Sequence, residues 1–257
     1  MNTSELFNLK GKTAIVTGGA NGIGKATAII LAQHGANISI GDFNLEDAKK
    51  TAKEIEALGV KAIAIECNVL KDEDLVNLVE STIKELGSIH ILINNAGGGG
   101  GGRENPFKTA VEDIKRDFDL NVFSGWRLCQ LVVPYMKKVG YGSIVFTTSM
   151  SSINKSPNMS GYGGSKAAVN HMVANLAHDF GPEVRINTDG PEATKTAALE
   201  RVLTPEIEKV MLAHTPIKRL GKAEDIAGAM LYFASPISEW VSGQTIFVNG
   251  GGEQTLE

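Results

Sequence analysis

The chain has 257 residues, of which 42% are hydrophobic and 21% charged, and its formal net charge is −4. These values are ordinary for a globular protein, and the length favours a single α/β domain, residues 1–257, over two small ones. The charge balance provides no basic surface for nucleic acid, so we expect no nucleic-acid partner.

Cysteine content and hydropathy indicate the compartment in which the protein works. Cys67 and Cys129 are too few for a disulfide framework, and neither has a metal-ligand spacing. No stretch approaches about 18 uninterrupted apolar residues, and the polar N-terminus lacks the apolar core of a signal peptide. We therefore expect a cytoplasmic protein without a membrane span or a bound metal.

Short apolar runs alternate with helical patterns along the chain. The runs that we interpret as strands are Thr13–Thr17, Asn37–Gly41, Lys61–Glu66, Ile89–Ile93, Ser143–Thr148, Val184–Thr188 and Gln244–Val248. Helical patterns between them include Ile23–His34, Leu45–Leu58, Glu73–Leu86, Glu112–Lys137 and Gly163–Phe180. This alternation predicts an α/β fold of the Rossmann-like, doubly wound type, with about seven parallel strands flanked by helices.

A glycine-rich turn, with Gly18, Asn21, Gly22, Ile23 and Gly24, follows the first strand and precedes a helix. Glycine permits positive φ and close backbone approach, and the N-terminus of a helix attracts phosphate. A glycine cluster alone is often a plain turn, but the strand before it and the helix after it favour dinucleotide binding.

The acidic residue Asp42 ends the second strand, where this fold places a carboxylate against the adenosine ribose hydroxyls. A 2′-phosphate would be repelled by that charge, and the following Phe43 supplies no cation to attract it. The cofactor predicted here is NAD and not NADP. The alternative is that Asp42 is only a turn or helix-cap residue.

Six consecutive glycines, residues 97–102, follow the fourth strand. Such a run is usually a flexible linker. Here the strand–helix alternation continues on both sides, and the run begins at a carboxyl strand end, where open α/β sheets bind ligands. We interpret it as a loop of the binding site.

Tyr162 and Lys166 are four residues apart and would share one helix face. A phenol with a pKa near ~10 acts as a base at neutral pH only when cations stabilise its anion, as an ammonium and oxidised nicotinamide would. The pair alone is typical of an exposed helix face. Ser149, at another carboxyl strand end, adds a hydroxyl that can donate to a substrate oxygen. Asn121 is either functional or a satisfied core amide, and the sequence leaves both open.

Together these residues resemble the short-chain dehydrogenase/reductase family. The matching motifs are Thr17-Gly18 with Gly22-Ile23-Gly24, Asn94-Asn95-Ala96-Gly97, Asn121, Ser149, Tyr162 and Lys166. The resemblance implies that Tyr162 is the general acid/base, that Ser149 orients the substrate oxygen, and that Lys166 holds the nicotinamide ribose and lowers the pKa of the tyrosine. It implies a proton-relay role for Asn121. It places Asn95 along the cofactor, Asn68 and Val69 at the adenine, and Thr194 and Thr196 at the nicotinamide end, with Thr196 at the carboxamide.

Finer features are similar to the bacterial, NAD-dependent branch of that family that oxidises the 7α-hydroxyl of bile acids. They include Leu120-Asn121-Val122-Phe123-Ser124, Thr204-Pro205-Glu206-Ile207-Glu208 and His214-Thr215-Pro216-Ile217. The similarity implies that Gly99 and Asn154 line the steroid site with Ser149 and Tyr162. It also implies an apolar lid around residues 192–215, centred on Ala198 to Met211, and a homotetramer with helices Glu112–Lys137 and Gly163–Phe180 at one interface and Gln244–Val248 near another.

Three positions depart from the family pattern. Asn68-Val69 replaces the usual Asp-Val, and an amide can still donate and accept hydrogen bonds. Asp189 stands where an apolar residue is usual, and Glu192 replaces a glycine, adding bulk and negative charge beside the expected nicotinamide.

Two other functions remain open from the sequence. One is a reductase of a different carbonyl, such as a sugar, a diketone or an acyl-carrier thioester. The acyl-carrier enzymes normally use NADPH, against which Asp42 argues. The other is a non-catalytic NAD-binding protein, which the unusual Asp189 and Glu192 motivate.

Overall fold

A computed structural model describes residues 3–99, 102–200 and 203–252. In these ranges seven parallel strands form one sheet in the order β3-β2-β1-β4-β5-β6-β7. The strands are β1 Thr13–Thr17, β2 Asn37–Asp42, β3 Ala62–Glu66, β4 Ile91–Asn94, β5 Gly142–Thr147, β6 Val184–Pro191 and β7 Thr245–Val248. The predicted doubly wound sheet is confirmed.

Helices connect the strands and cover both faces of the sheet. They are α1 Thr3–Leu6, α2 Gly22–Gln33, α3 Leu45–Glu56, α4 Asp72–Leu86, α5 Val111–Phe118, α6 Ser124–Val139, α7 Ser160–Phe180, α8 Ala197–Glu200, α9 Pro205–Ala213 and α10 Ala223–Ala234. Short 3₁₀ turns lie at Met150–Ser152 and Pro236–Ser238. The single helix expected over Glu112–Lys137 is interrupted by a π-helical turn, Asp119–Phe123.

Two apolar clusters hold the helices against the sheet. On one face, Leu31 of α2 and Met230 of α10 pack with Val16 and Ile40. On the other, helices α4, α6 and α7 supply residues such as Leu78, Leu128, Val132 and Val169. Each fully buried aliphatic side chain contributes about 1.5–3 kcal/mol relative to exposure. Every residue of β1 is buried, so this strand anchors the glycine-rich turn that follows it.

The direction in which successive strands are added to the sheet reverses at β1. Strands β2 and β3 lie on one side of β1, and β4 to β7 lie on the other. A reversal of this kind opens a crevice at the carboxyl ends of the two central strands. Gly18 directly follows β1 and Asn95 directly follows β4, so both lie at the crevice.

Strand β6 is three residues longer than the sequence predicts. Asp189, Gly190 and Pro191 are poor strand residues, yet they continue in register with Ile246, Phe247 and Val248 of β7. The extension leads the chain directly to Glu192. Within the part of the chain that the structure describes, no helix has the length and apolar character that crossing a membrane requires.

Candidate active site

A cleft of about 1030 Å³ lies at the carboxyl ends of the strands. Most of the residues singled out from the sequence line it, namely Gly18, Asn21, Gly22, Ile23, Asp42, Phe43, Asn68, Val69, Asn95, Ser149, Tyr162, Lys166 and Thr196. The glycine-rich turn and the Tyr–Lys pair, which are distant in sequence, therefore open into one cavity.

The turn after β1 is built for close backbone contact. Gly18 and Gly22 have φ values of +63° and +56°, which side-chain-bearing residues rarely adopt. A Cβ on Gly24 would collide with the carbonyl oxygen of Gly18, so Gly24 tightens the turn from behind instead of lining the cleft. Asn21 precedes α2 without capping it by its side chain, so the first N–H groups of the helix are free to bind a phosphate.

Asp42 is both a turn residue and a cleft residue. Its Oδ2 accepts a hydrogen bond from the Ala20 N–H at 3.0 Å and its Oδ1 accepts one from the Asn44 N–H at 2.9 Å. The cap of α3 is Asn44 and not Asp42. The carboxylate therefore ties the glycine-rich turn to the end of β2 and presents its charge to the cleft beside Phe43.

Asn95 holds the opposite wall of the crevice. Its Nδ2 donates to the carbonyl oxygens of Thr17 and Gly18 at 3.1 and 3.3 Å. The Thr147 hydroxyl donates to its Oδ1 at 3.3 Å. Asn95 thus links the ends of β1 and β5 and supports the glycine-rich turn.

Tyr162, Ser149 and Lys166 converge at the other end of the cleft. Helix α7 begins at Ser160, earlier than predicted, so Tyr162 and Lys166 lie on the same helix, with Nζ 5.8 Å from the centroid of the phenol ring. The Lys166 ammonium donates to the carbonyl oxygen of Thr147 at 2.8 Å. Burial lowers the pKa of Lys166 to about 8, so the side chain is still mostly charged at pH 7.

Burial raises the pKa of the Tyr162 phenol. A hydrogen bond with the Ser149 side chain opposes this shift, whereas the carboxylates of Asp117 and Glu192 raise the pKa further. The lowering by Lys166 that the sequence led us to expect is not among these effects. The protein alone therefore keeps the phenol in its protonated form.

Asn121 lies in the π-helical turn and is buried. Its Oδ1 accepts from the Gly98 N–H at 3.0 Å, and its Nδ2 donates to the Gly98 carbonyl at 2.8 Å and to the Ser165 hydroxyl at 3.0 Å. The side chain fixes the glycine run against α7, and Gly97 and Gly98 line the cleft. Gly100 and Gly101 lie outside the described residues.

Other candidate residues lie away from the cleft. The Thr194 hydroxyl donates to the Glu192 carbonyl at 2.9 Å, and Gly99 lies beside Asp117. Asn154 lines a separate open groove with Ser151 and Lys155. Within the predicted lid, α9 contains no buried residue, which is typical of a loosely packed segment. Positions 201 and 202 of that lid lie outside the described residues.

Glu104 is a site residue that sequence reasoning missed. It is buried, and its two carboxylate oxygens accept hydrogen bonds from the Gly161 N–H at 2.6 Å and the Tyr162 N–H at 2.8 Å. The carboxylate thus caps the N-terminus of α7 from a different part of the chain. No local capping motif predicts this, because the two partners are 57 and 58 residues away.

Asp189 and Glu192, the two unusual acidic residues, both have buried side-chain oxygens without a hydrogen-bond partner among the described residues. Neither oxygen of the Asp189 side chain has a hydrogen-bond partner among the described residues, although Asp189 is completely buried. Burial raises its pKa well above the usual range. Glu192 lines the cleft and burial raises its pKa to about 7.

The chain belongs to the short-chain dehydrogenase/reductase family and is an oxidoreductase of that type. Residues 18–253 match a family model described as enoyl-(acyl carrier protein) reductase. The matched range includes the glycine-rich turn, the residues of the crevice and the helix that carries Tyr162 and Lys166.

Similarity to individual proteins is more specific than the match to the family model. The chain is 46% identical over 257 residues to the 7α-hydroxysteroid dehydrogenase of Escherichia coli strain K12, covering all of both proteins. A structure of a 7α-hydroxysteroid dehydrogenase complexed with NADH and 7-oxo glycochenodeoxycholic acid superposes with a TM-score of 0.95 at 46% identity, again over both full chains. The 3-oxoacyl-(acyl-carrier-protein) reductase of Thermotoga maritima is 34% identical over 246 residues, which cover 95% of this chain and 99% of that protein.

Proposed function

We propose that this protein is an NAD-dependent dehydrogenase that oxidises the 7α-hydroxyl of a bile acid or a related hydroxysteroid. The observation that carries the proposal is that Asp42 and the glycine-rich turn share one cleft with Ser149, Tyr162 and Lys166. Full-length similarity to a 7α-hydroxysteroid dehydrogenase supports the substrate class.

The residues of the cleft fit a dinucleotide. The free N-terminus of α2 and the closely packed glycines suit a pyrophosphate, and Asp42 suits the two hydroxyls of an adenosine ribose. Phe43, Asn68 and Val69 would hold the adenine, and Asn95 and Thr196 the region towards the nicotinamide. Thr194, which lies away from the cleft, stays a prediction for that region. When bound, NAD supplies the acceptor for the hydride and a positive ring charge near the tyrosine.

In the proposed reaction Tyr162, which the protein alone keeps protonated, would first release its proton to solvent once the positive nicotinamide ring lies beside it. Its phenolate would then accept the proton of the substrate hydroxyl as the carbon is oxidised. Ser149, hydrogen-bonded to Tyr162, donates to the substrate oxygen and orients it. Lys166, held by the Thr147 carbonyl, places a cation behind the tyrosine and holds a ribose. Asn121 supports a proton relay by fixing the glycine run and Ser165. Gly99 and Asn154 stay predictions for the steroid site.

The quaternary structure and the compartment are further parts of the proposal. We infer a homotetramer in the cytoplasm. An apolar depression on α6 and α7, lined by Trp126, Val133 and Phe180, supports an interface there, and the half-buried residues of β7 support a second one. Cys67 and Cys129 are buried free thiols, which suits a reducing compartment.

A substrate panel tests the proposal. Cholate and chenodeoxycholate, their 7β-hydroxy epimers and small secondary alcohols are assayed with NAD and with NADP. We expect NADH formation with the 7α-hydroxy compounds, little with the 7β epimers, and weak use of NADP. Absence of reaction with every 7α-hydroxysteroid would overturn the substrate assignment.

A reductase of acyl-carrier thioesters is the second candidate, because the matching family model has that description and a 34% identical relative has that type of name. The negative charge of Asp42 at the ribose end opposes the NADPH that such enzymes normally use. Reduction of acetoacetyl thioesters with NADPH, without bile-acid activity, would reverse the order of the two candidates.

A further inference from the structure

Glu192 is an acidic residue of the cleft to which the proposed roles assign no function. Its backbone N–H donates to the Val248 carbonyl at 3.4 Å, and its own carbonyl accepts from the Thr194 hydroxyl at 2.9 Å. The backbone is thus fixed at the end of β6, with the side chain lining the same cavity as Ser149 and Tyr162. The Oε2 atom is buried and has no hydrogen-bond partner among the described residues.

Among the described residues, no lysine or arginine forms an ion pair with this carboxyl group. Glu192 also lines a second cavity of about 240 Å³ together with Arg219 and Asp225. The Arg219 guanidinium is already paired with Asp225, with an Nη2 to Oδ1 distance of 2.8 Å. Tyr162, Arg116 and Lys166 also line the cleft, and the Lys166 ammonium donates to the carbonyl oxygen of Thr147. Two further carboxyl groups belong to this region: Asp117, which raises the pKa of Tyr162, and the buried Asp189.

A cationic ligand group beside Tyr162 would supply the missing partner. The proposed function requires the hydride acceptor to lie at this end of the cleft, because proton and hydride leave neighbouring atoms of one substrate. The nicotinamide ring is positively charged when oxidised and neutral when reduced. A carboxylate at this position therefore interacts differently with the two redox states.

We propose that Glu192 makes the cleft selective for the oxidised cofactor, its carboxylate binding NAD⁺ in preference to NADH. The proposal rests on the proposed function, since it requires a nicotinamide at this end. It assigns a specificity role to the position where the family pattern has glycine, and it favours release of NADH after oxidation of the alcohol.

The selectivity depends on pH in a defined direction. Burial raises the pKa of Glu192 to about 7, so the group is neutral below that pH and charged above it. Preference for NAD⁺ is therefore present at alkaline pH and is lost as the pH falls through about 7. By linkage, binding of NAD⁺ lowers the pKa of Glu192 and releases a proton around neutral pH.

Direct binding measurements test this without relying on turnover. Dissociation constants for NAD⁺ and NADH are measured by calorimetry at about pH 6 and about pH 8, one unit on either side of the carboxyl pKa. The proteins are the unaltered protein, Glu192→Gln and Glu192→Asp, with Glu224→Gln as an exposed control for the same loss of charge. We expect the ratio of the NADH to the NAD⁺ dissociation constant to rise about tenfold between the two pH values in the unaltered protein and the control. The rise should be much smaller in Glu192→Gln, where Lys166 still titrates in the cleft, and intermediate in Glu192→Asp.

The outcomes separate the two proposals. An equal rise in Glu192→Gln and in the unaltered protein would overturn the role of Glu192 while leaving the dehydrogenase proposal intact. Failure of both nucleotides to bind to the unaltered protein would overturn the proposed function itself. Should Glu192→Gln not fold, Glu192→Gly, which restores the residue usual in the family, takes its place and is expected to show the same reduced rise.

Discussion

The negative charge of Asp42 determines, on this account, which dinucleotide the cleft accepts. Asp42→Asn removes the charge but keeps one acceptor for the hydrogen bonds from Ala20 and Asn44. We expect kcat/KM with NADP to rise by about 10- to 100-fold, because like-charge repulsion with a 2′-phosphate is relieved. Steady-state kinetics with NAD and NADP measure the change, with Glu46→Gln, at an exposed residue outside the cleft, as a nearby control. An unchanged NAD to NADP ratio would show that Asp42 is only a turn residue.

Asp189 gives a prediction about stability. Its folded pKa is raised by burial, so the folded state holds a proton that the unfolded chain releases above about pH 4. Stability is therefore fully present below that pH and is lost as the pH rises towards the folded pKa, by at most about 1.4 kcal/mol per pH unit.

Asp189→Asn should remove this pH dependence and make the protein more stable at pH 7 by about 1–3 kcal/mol. Urea unfolding at about pH 5 and about pH 7 tests it. Because the raised pKa of Glu192 produces a slope of the same sign, the comparison is made in the Glu192→Gln background. Equal slopes with and without Asp189→Asn would contradict the assignment.

Most of the residues that form the candidate site could be predicted from the sequence. The glycine-rich turn, Asp42, Ser149, Tyr162 and Lys166 were each recognisable from spacing and flanking elements, and the cleft brings them together. The direction of the pKa shift of Tyr162 was not predictable, because it depends on burial and on Asp117 and Glu192. Those contacts come from separate segments of the chain.

Among the elements, helix α7 depends on a long-range cap. Glu104→Ala removes two charge-assisted hydrogen bonds to the first turn, next to Tyr162, and should lower the free energy of unfolding by about 1–3 kcal/mol. We also expect kcat to fall more than KM rises, because the tyrosine loses its fixed position. Glu104→Gln, which keeps one acceptor, should recover part of both effects. Urea unfolding and kinetics, with the exposed Glu112→Ala as control, measure them. Wild-type kcat in Glu104→Ala would contradict the positioning role.

Element types were more predictable than element ends. Periodicity identified all seven strands, since each is an apolar run between turn residues. The extension of β6 through Pro191 was missed, because pairing with β7 overrides the poor local propensity of Asp189-Gly190-Pro191. The π-helical turn was missed because helical periodicity does not reveal a local insertion, although this turn is what directs Asn121 towards Gly98.

At the scale of the whole molecule, the order of the sheet explains why the cleft lies between β1 and β4. The strand–helix alternation was enough to predict this arrangement. The number of subunits is not determined by one chain, since it depends on how exposed apolar faces meet.

The proposed tetramer can be tested by light scattering after gel filtration. Trp126 is 45% exposed beside the apolar depression on α6 and α7. Trp126→Glu should shift the protein to a smaller assembly, because a charge would be buried at that interface. Leu58→Glu, at a residue that is 43% exposed on another face, is the matched control. A monomer in the unaltered protein would end the proposal.

Comparison of the unaltered protein with Tyr162→Phe tests the central claim most directly. The rate of NADH formation from chenodeoxycholate is measured alongside the dissociation constant for NADH. We predict that the rate falls by at least about 10³-fold, since the proton acceptor is lost, while NADH still binds within a few-fold of its original affinity. A Tyr162→Phe protein that oxidises the bile acid at an undiminished rate would show that the hydride-transfer chemistry does not depend on this tyrosine.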